Sequence, residues 1–324
     1  MIPRRSFLQT LAAAAALPAL PRPGFAQTYP SRPIRMLVAT SAGGNTDLAA
    51  RIIAQWLGER LGQTVVVENR PGGANNIGTE AAVRAPADGY TLFMGNLTNT
   101  VNMTLYKNLS FNFLDDMTPV ALTMQSTLAM QVHPSVAAKT AAEFIAAAKA
   151  HPGTINMGSG GNGSAGQMAG ALLQMMAGIK MTHVPYRGEA MAMTDLLGGQ
   201  VQMVFATLGS STQYIKAGQV RALAVTSAKR AEMLPDVPPL ADTVPGYEMS
   251  SWNGVMAPKG TPPDIVERLN KEINASYTDP KIVERFITLG ATPAPFTVAE
   301  FGKLLRDDAA KWAAVIPSAG IKAE

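Results

Sequence analysis

The sequence predicts an α/β fold of two lobes, each built on a doubly wound, mainly parallel sheet. Strand-like and helix-like segments alternate along almost the whole chain, which is the pattern of βαβ units joined by right-handed crossovers. Two glycine-rich turns, residues 41–47 and 159–164, each lead from a strand into a helix. Two further strand-like stretches, at 120–132 and 250–257, interrupt the alternation, and we expect the chain to cross between the lobes there.

The first lobe begins with an apolar run at 34–39, which predicts a strand. The helix predicted after it, at 45–61, carries Leu48, Ile52 and Trp56 at the spacing of one helical face. The other segments predicted for this lobe are a strand at 65–67, a helix at 79–84, a strand at 90–94 and, after the second crossing, a strand at 250–257 and helices at 263–277, 280–289 and 298–315.

The second lobe repeats the alternation, and a proline-rich segment at 235–245 is expected to connect it back over the surface. Its predicted strands are 155–157, 182–184, 201–205 and 221–226, and its predicted helices are 140–150, 164–177 and 189–197. The expected domains are therefore a signal peptide at 1–26, a first lobe at 27–125, a second lobe at 126–249 and the C-terminal part of the first lobe at 250–324.

The first 26 residues predict an export signal. Arg4 and Arg5 give a positive start, and the apolar stretch at 11–20 is too short to span a bilayer stably. Small residues at Gly24 and Ala26 predict cleavage after Ala26. The paired arginines resemble a twin-arginine signal, so we expect the protein in the periplasm.

The composition excludes several classes of function. Without the first 26 residues, 24 basic residues face 23 acidic ones, and no basic cluster predicts a nucleic-acid or membrane partner. Zero cysteines exclude a disulfide framework and a thiol nucleophile. The three histidines are scattered, so we expect no metal site, and no motif supports a cofactor.

Both glycine turns suit an anion. Glycine lets the backbone turn tightly and approach a ligand closely, and the N–H groups at a helix start favour negative charge. Ligands of open α/β sheets bind outside the carboxyl ends of the strands, where both turns are expected. The turns therefore predict one anionic ligand held between two lobes.

A nucleotide-binding enzyme is one alternative, because residues 158–163 fit the GxGxxG pattern after a strand. That motif requires an acidic ribose partner about 20 residues further on. Residues 182–186 contain no acid. A generic anion turn is the simpler interpretation.

A serine hydrolase is a second alternative. Ser164 lies in a near match to the GxSxG nucleophile elbow that lacks the first glycine, with His183 and Asp195 later in the chain. In that fold the acid precedes the histidine, whereas here His183 precedes Asp195. Ser164 is otherwise explained as a helix cap, and Asp47, another candidate acid, as a helix first-turn residue. We therefore expect no catalytic residue and no enzyme.

Short segments in order along the chain carry a family resemblance. They are 29–34 (YPSRPI), 66–72 (VVENRPG), 76–78 (NIG), 87–92 (ADGYTL), 159–164 (SGGNGS), 183–188 (HVPYRG), 195–201 (DLLGGQV), 221–227 (RALAVTS) and 234–238 (LPDVP). With them, nearly the whole chain after residue 26 resembles the periplasmic substrate-binding proteins of tripartite tricarboxylate transporters, the Bug or TctC-like family.

The resemblance implies a flytrap-like receptor that closes on a small organic carboxylate and delivers it to membrane permease subunits. We expect it to act as a monomer. The resemblance implies ligand contacts from both turns, from the end of the third strand and from the strand end near residue 206. The implied ligand-binding residues are Ser41, Gly43, Gly44, Asn45, Thr46, Asp47, Asn96, Thr98, Ser159, Gly160, Gly161, Asn162, Gly163, Ser164, Tyr186, Ala206 and Thr207.

Two departures from the family pattern bear on the ligand. Residues 39–42 (ATSA) stand where members usually carry prolines, and Ala206 stands where they often carry aspartate. Without that acid a substrate amine lacks its partner, and no basic cluster awaits a tricarboxylate. We therefore expect a mono- or dicarboxylate rather than an amino acid or citrate.

Overall fold

The structure is a computed structural model, and it describes residues 29–292 and 295–323. The predicted signal peptide, residues 1–26, lies outside the described residues. The strands are β1 (Ile34–Val38), β2 (Val65–Asn69), β3 (Thr91–Asn96), β4 (Met117–Val132), β5 (Asn156–Ser159), β6 (Thr182–Pro185), β7 (Met203–Thr207), β8 (Arg221–Val225), β9 (Ser250–Pro258) and β10 (Ala291–Thr292).

Eleven α-helices alternate with these strands within the described ranges. They are α1 (Asn45–Leu61), α2 (Asn76–Val83), α3 (Leu97–Leu105), α4 (Phe113–Asp116), α5 (Ala141–Ala150), α6 (Ala165–Ala177), α7 (Glu189–Leu197), α8 (Leu208–Lys216), α9 (Pro263–Ala275), α10 (Pro280–Thr288) and α11 (Val298–Ser318). Two short 3-10 turns, Leu240–Asp242 and Ser276–Thr278, complete the regular structure.

The long strand β4 belongs to two sheets. Up to Thr127 it pairs with β9, in a first sheet of order β2-β1-β3-β9-β4 with β10 on its far edge. From Leu128 it pairs with β7 and β8, in a second sheet of order β6-β5-β7-β4-β8. In the first sheet only β9 and β10 run against the other strands, and in the second only β4 does. This architecture confirms the predicted two-lobed α/β fold.

Helices cover both faces of the first sheet, so its parallel strands are buried on both sides. On β1, Met36 and Val38 pack into a core with Ile53 of α1. The intervening Leu37 points to the opposite core, which contains Val101 of α3 and Phe301 of α11. The alternation of neighbouring side chains along a strand therefore feeds two separate helix layers.

The buried face of α1 matches the predicted one only in part. Ile52 is buried as predicted, together with Ile53 and Leu57, whereas Leu48 is 37% exposed. Trp56 lies at the edge of that face, where its indole N–H donates to the Glu272 carbonyl of α9 (2.7 Å). A second helix packed beside α1 gives Trp56 a polar partner, which periodicity alone does not show.

Three helices have no counterpart in the sequence predictions: α3, α4 and α8. The sequences of α3 (LTNTVNMTL) and α8 (LGSSTQYIK) are rich in residues of low helix propensity. A capping box between Asn96 and Asn99 starts α3. A capping box overcomes weak propensity at α3, whereas α8 has no side-chain cap and depends on packing.

Candidate functional site

A cleft of about 780 Å³ lies between the two sheets at the carboxyl ends of their strands. That volume is typical of small-molecule sites. It is lined by Ala42, Gly44, Asn45, Thr46, Asn96, Leu97, Thr98, Met124, Ser126, Ser164, Ala165, Arg187, Gly188, Glu189, Ala190, Met193, Thr194, Thr207, Ser210, Tyr214, Ser251 and Asn253. Both predicted glycine turns contribute to this lining.

Asp47 braces the first turn from below. Gly43 has φ of +85°, which favours glycine, and its N–H donates to Asp47 Oδ2 (2.9 Å). Arg51 Nε donates to the same oxygen (3.0 Å), and Asn69 Nδ2 donates to Oδ1 (2.9 Å). Burial raises the pKa of Asp47, but these hydrogen bonds outweigh burial and leave the pKa below its ordinary value. Because Asp47 is only 1% exposed and both oxygens accept hydrogen bonds, it braces the turn rather than lining the cleft.

Gln167 braces the second turn in the same way. Gly163 has φ of +75°, and its N–H donates to Gln167 Oε1 (2.6 Å). Ser164 is the N-cap of α6, and its hydroxyl accepts from the Gln167 N–H (3.4 Å). In both turns a glycine with left-handed backbone precedes the cap residue. A side-chain oxygen of the third helical residue accepts the hydrogen bond from the N–H of that glycine. The two helix starts are thus built alike and held rigid.

Polar side chains join the first turn to the neighbouring strands. The Thr46 hydroxyl accepts from Asn253 Nδ2 (2.8 Å) and from Asn96 Nδ2 (3.3 Å). Asn96 and Asn253 stand opposite each other in the antiparallel pairing of β3 with β9. Because Thr46 accepts both bonds, its own hydroxyl proton is available to an acceptor in the cleft.

Ser126 brings a further polar atom to the cleft. It lies on β4, next to the point where pairing changes from β9 to β7, and is 1% exposed. Its hydroxyl is buried without a hydrogen-bond partner among the described residues. Buried hydroxyls normally have a hydrogen-bond partner in the protein, in water or in a ligand, so the Ser126 hydroxyl is available to a polar group of a ligand.

Glu189 contributes a carboxylate that sequence analysis did not single out. It is the first residue of α7 and lies half-buried in the cleft lining. Thr207 donates to it through its hydroxyl (2.9 Å to Oε1) and its backbone N–H (3.2 Å to Oε2), and the Ser210 hydroxyl also donates to Oε1. Three donors therefore hold this carboxylate inside the cleft.

Some of the residues implied by the family resemblance lie in the cleft lining, and the others lie behind it or beside it. Those in the lining are Gly44, Asn45, Thr46, Asn96, Thr98, Ser164 and Thr207. Those outside the lining are Ser41, Gly43, Asp47, Ser159, Gly160, Gly161, Asn162, Gly163, Tyr186 and Ala206. Ala206 is fully buried, so it carries no information about the charge of a ligand.

The residues of the hydrolase alternative have other partners. The two ring nitrogens of His183 lie 2.6 Å from Ser159 Oγ and 3.2 Å from Gln167 Nε2. Tyr186 donates its hydroxyl to Asp195 (2.6 Å), and burial together with this bond raises the pKa of Tyr186 to about 12. Ser164 acts as a helix cap. These contacts give Ser164, His183 and Asp195 partners other than one another.

Several lining residues were missed by sequence reasoning, among them Arg187, Glu189, Ser251 and Asn253. Ser251 and Asn253 lie on β9. The sequence predicted that this strand crosses between the lobes, and that prediction could have indicated that its residues line the cleft. Arg187 is exposed, and no ion pair involving it occurs among the described residues.

No group of three or more potential metal-ligating side chains comes together within 29–292 and 295–323. Over the same ranges, none of the helices has both the length and the apolar character needed to cross a membrane.

A cleft between two α/β lobes, with a helix start on each side, defines a two-lobed solute-binding protein. Residues 49–321 match the tripartite tricarboxylate transporter family receptor, TctC. The chain belongs to this family of solute-binding receptors, as the sequence motifs predicted.

Known relatives span almost the full chain. Protein BugT of Bordetella pertussis is 36% identical over 303 residues, which are 93% of this chain and 93% of BugT. A Rhodopseudomonas palustris protein solved with adipate is 33% identical, with a TM-score of 0.81 over 91% of this chain and 99% of the other. MatC from the same species, solved with bound malate, is 27% identical, with a TM-score of 0.78 over 89% of this chain and 100% of MatC.

Proposed function

We propose that this protein is a periplasmic receptor that captures a small organic carboxylate between its lobes and delivers it to the permease of a tripartite tricarboxylate transporter. It carries out no catalysis, and it acts as a monomer with a signal peptide cleaved after Ala26. The lobes are residues 27–125 with 250–324, and 126–249. Solved relatives with adipate and malate support the ligand class.

The observation that carries this proposal is that two helix starts face one cleft. The first N–H groups of a helix have no acceptors within the helix, and the helix dipole adds a partial positive charge there. Gly44 to Thr46 of the first turn and Ser164 with Ala165 of the second line the same space. A carboxylate placed between them receives donors from both lobes.

Neutral donors supplement the two helix starts. Each start contributes about 0.3–1 kcal/mol to a nearby charge, and up to ~2 kcal/mol when the geometry is partly buried. The Thr46 and Ser126 hydroxyls add hydrogen bonds to a charged acceptor, which are stronger than neutral ones. Arg187 adds an exposed positive charge at the cleft.

The restriction to mono- or dicarboxylates over amino acids and citrate remains a prediction. One basis for it, the missing acid at Ala206, is weakened because Glu189 supplies a carboxylate to the cleft lining. The exclusion of citrate rests on the cleft's charge, since Arg187 is its only cation among the described lining residues.

The test is a binding screen with one variant that blocks the first turn. Gly44 has φ of −80°, and a Cβ there meets only the Ser41 carbonyl oxygen, at 3.8 Å. Gly44→Ala therefore keeps the fold but places a methyl group in the cleft lining. Mono- and dicarboxylates should raise the melting temperature of the wild type and not that of this variant.

Gly198 provides a matched control, because its φ is −81° and a Cβ there meets other atoms only at 3.5 Å and beyond, whereas Gly153 has φ of +80°. Gly198→Ala should bind like the wild type. Ester hydrolysis that disappears in Ser164→Ala, without stabilisation by any carboxylate, would contradict the proposal.

Binding should also close the lobes. Within the described part of the chain, β4 and the segment entering β9 connect the sheets near the cleft, so a hinge there is the expected motion. Small-angle scattering should show a smaller radius of gyration at saturating ligand. An unchanged radius with a bound ligand would contradict hinge closure.

A further inference from the structure

Glu189 occupies an anion site of the protein itself. Thr207 is the N-cap of α8, and its backbone N–H and hydroxyl both donate to the Glu189 carboxylate. The Ser210 hydroxyl, one turn along, donates to the same group. A helix start with two hydroxyls is the environment that a carboxylate of a ligand would use, and here a side chain fills it.

A purely local role does not explain these contacts. Glutamate in a first turn is favourable to its own helix dipole without touching any other element. Glu189 instead reaches from α7 to α8, and its carboxylate lies among residues that line the cleft. Its backbone is fixed beside the second turn, since a Cβ at Gly160 would lie 3.1 Å from the Glu189 nitrogen.

A carboxylate in this position restricts what approaches it. An ionised glutamate only accepts hydrogen bonds, and three donors leave one of its roughly four acceptor positions open. A second carboxylate of a ligand meets like charge and finds the Thr207 and Ser210 donors already engaged. A hydroxyl or ammonium group, in contrast, donates to the open position.

We propose that Glu189 sets the charge selectivity of the cleft by taking the place of a second ligand carboxylate. The receptor then selects a monocarboxylate whose far end carries a hydrogen-bond donor, either a hydroxyl or an ammonium group. This choice replaces the preference for dicarboxylates and against amino acids that the missing acid at Ala206 suggested. This inference rests on the proposed function, because it assumes that the two glycine turns bind one carboxylate. Arg187 is exposed, so screening weakens its attraction for a second carboxylate more than it weakens the repulsion by half-buried Glu189.

The experiment compares ligands that differ only at the far end. Isothermal titration calorimetry would measure the Kd of hexanoate, 6-hydroxyhexanoate, 6-aminohexanoate and adipate, together with butanoate, 4-hydroxybutanoate and succinate. The proteins are the wild type, Glu189→Ala, which empties the anion site, and Glu189→Gln, which keeps its size without charge. Glu267→Ala removes an exposed glutamate of α9 outside the cleft and controls for net charge.

In the wild type and in Glu267→Ala, the hydroxy or amino acids should bind best. The dicarboxylate should bind at least about tenfold more weakly than its monocarboxylate, since like charges that face each other repel. In Glu189→Ala that ratio should fall by about tenfold or reverse, which corresponds to ~1.4 kcal/mol. Glu189→Gln should show a smaller change in the same direction.

The outcomes separate the two proposals. Dicarboxylates that bind the wild type as well as monocarboxylates do, with no change of ratio in Glu189→Ala, would overturn the role of Glu189 and leave the receptor function standing. Failure of every ligand to bind the wild type and both variants would overturn the carboxylate site and this inference with it.

Discussion

Replacement of Asp47 by asparagine tests whether the first turn is held as described. The new side chain would offer one oxygen and one NH₂ group to three donors: the Gly43 N–H, Arg51 Nε and Asn69 Nδ2. If its oxygen faces Gly43, its NH₂ group faces Asn69. Asn69 is unable to rotate without loss, because it also donates to the Thr40 carbonyl (3.0 Å) and accepts from Arg51 (3.2 Å).

The expected cost follows from these contacts. A lost hydrogen bond to a buried charged group costs about 1.5–3 kcal/mol, and the Arg51 ion pair, with its half-exposed guanidinium, adds at most about 1 kcal/mol. We expect Asp47→Asn to lower the free energy of unfolding by about 2–4 kcal/mol at neutral pH. Urea denaturation, analysed at unchanged m-value, measures this difference.

The cost should depend on pH. The pKa of Asp47 is lower in the folded than in the unfolded protein, so its contribution is present above the unfolded pKa and is lost as the pH falls through the folded value. The difference between Asp47→Asn and the wild type should therefore shrink below about pH 4, which approximates the unfolded value. Asp264→Asn, an exposed first-turn aspartate of α9, should cost less than ~1 kcal/mol. If Asp47→Asn lowers the free energy of unfolding by less than ~0.5 kcal/mol, or by an amount independent of pH, Asp47 does not stabilise the first turn as described.

Two further predictions concern the contacts between elements. Gly209→Ala should destabilise the protein by about 1–3 kcal/mol or more in urea denaturation, because a Cβ there overlaps the backbone carbonyl of Leu289. Burial raises the pKa of Asp308, which accepts from the Thr100 hydroxyl (2.6 Å) and the Trp252 indole N–H (3.0 Å). Asp308→Asn should change stability by less than ~1 kcal/mol at neutral pH. Asp308→Leu should cost about 1–3 kcal/mol by leaving the buried Trp252 indole N–H unpaired, whereas the Thr100 hydroxyl keeps the Leu97 carbonyl (2.8 Å) as an acceptor. Because the folded pKa is raised, the wild type should gain stability relative to Asp308→Asn as the pH falls through it, and the opposite trend in titrated denaturation would contradict the assignment.

The sequence was sufficient for the order of strands β1 to β9 and for the location of the two turns. Apolar runs predicted these nine strands, though not the short β10, and Gly43 and Gly163 marked the turns because left-handed backbone strongly favours glycine. The family was identifiable from short motifs alone. These features are local in the chain, so a linear pattern records them.

The sequence did not predict helices α3 and α8. Their residues have low helix propensity, so their formation depends on packing against other elements and, at α3 alone, on a capping box. Thr98 and Ser210 therefore line the cleft on helices that the spacing of apolar residues does not predict.

Only the tertiary structure decided which side chains face the cleft. All five residues of β7 are buried, so no alternation of polar and apolar residues distinguishes Ala206, which lies outside the lining, from Thr207, which lies within it. In the sequence Glu189 is only the first residue of a predicted helix, and its contacts with Thr207 and Ser210 depend on the fold. Charge selectivity in this cleft depends on contacts between residues 18 positions apart, and the spacing of residues along one chain does not encode such contacts.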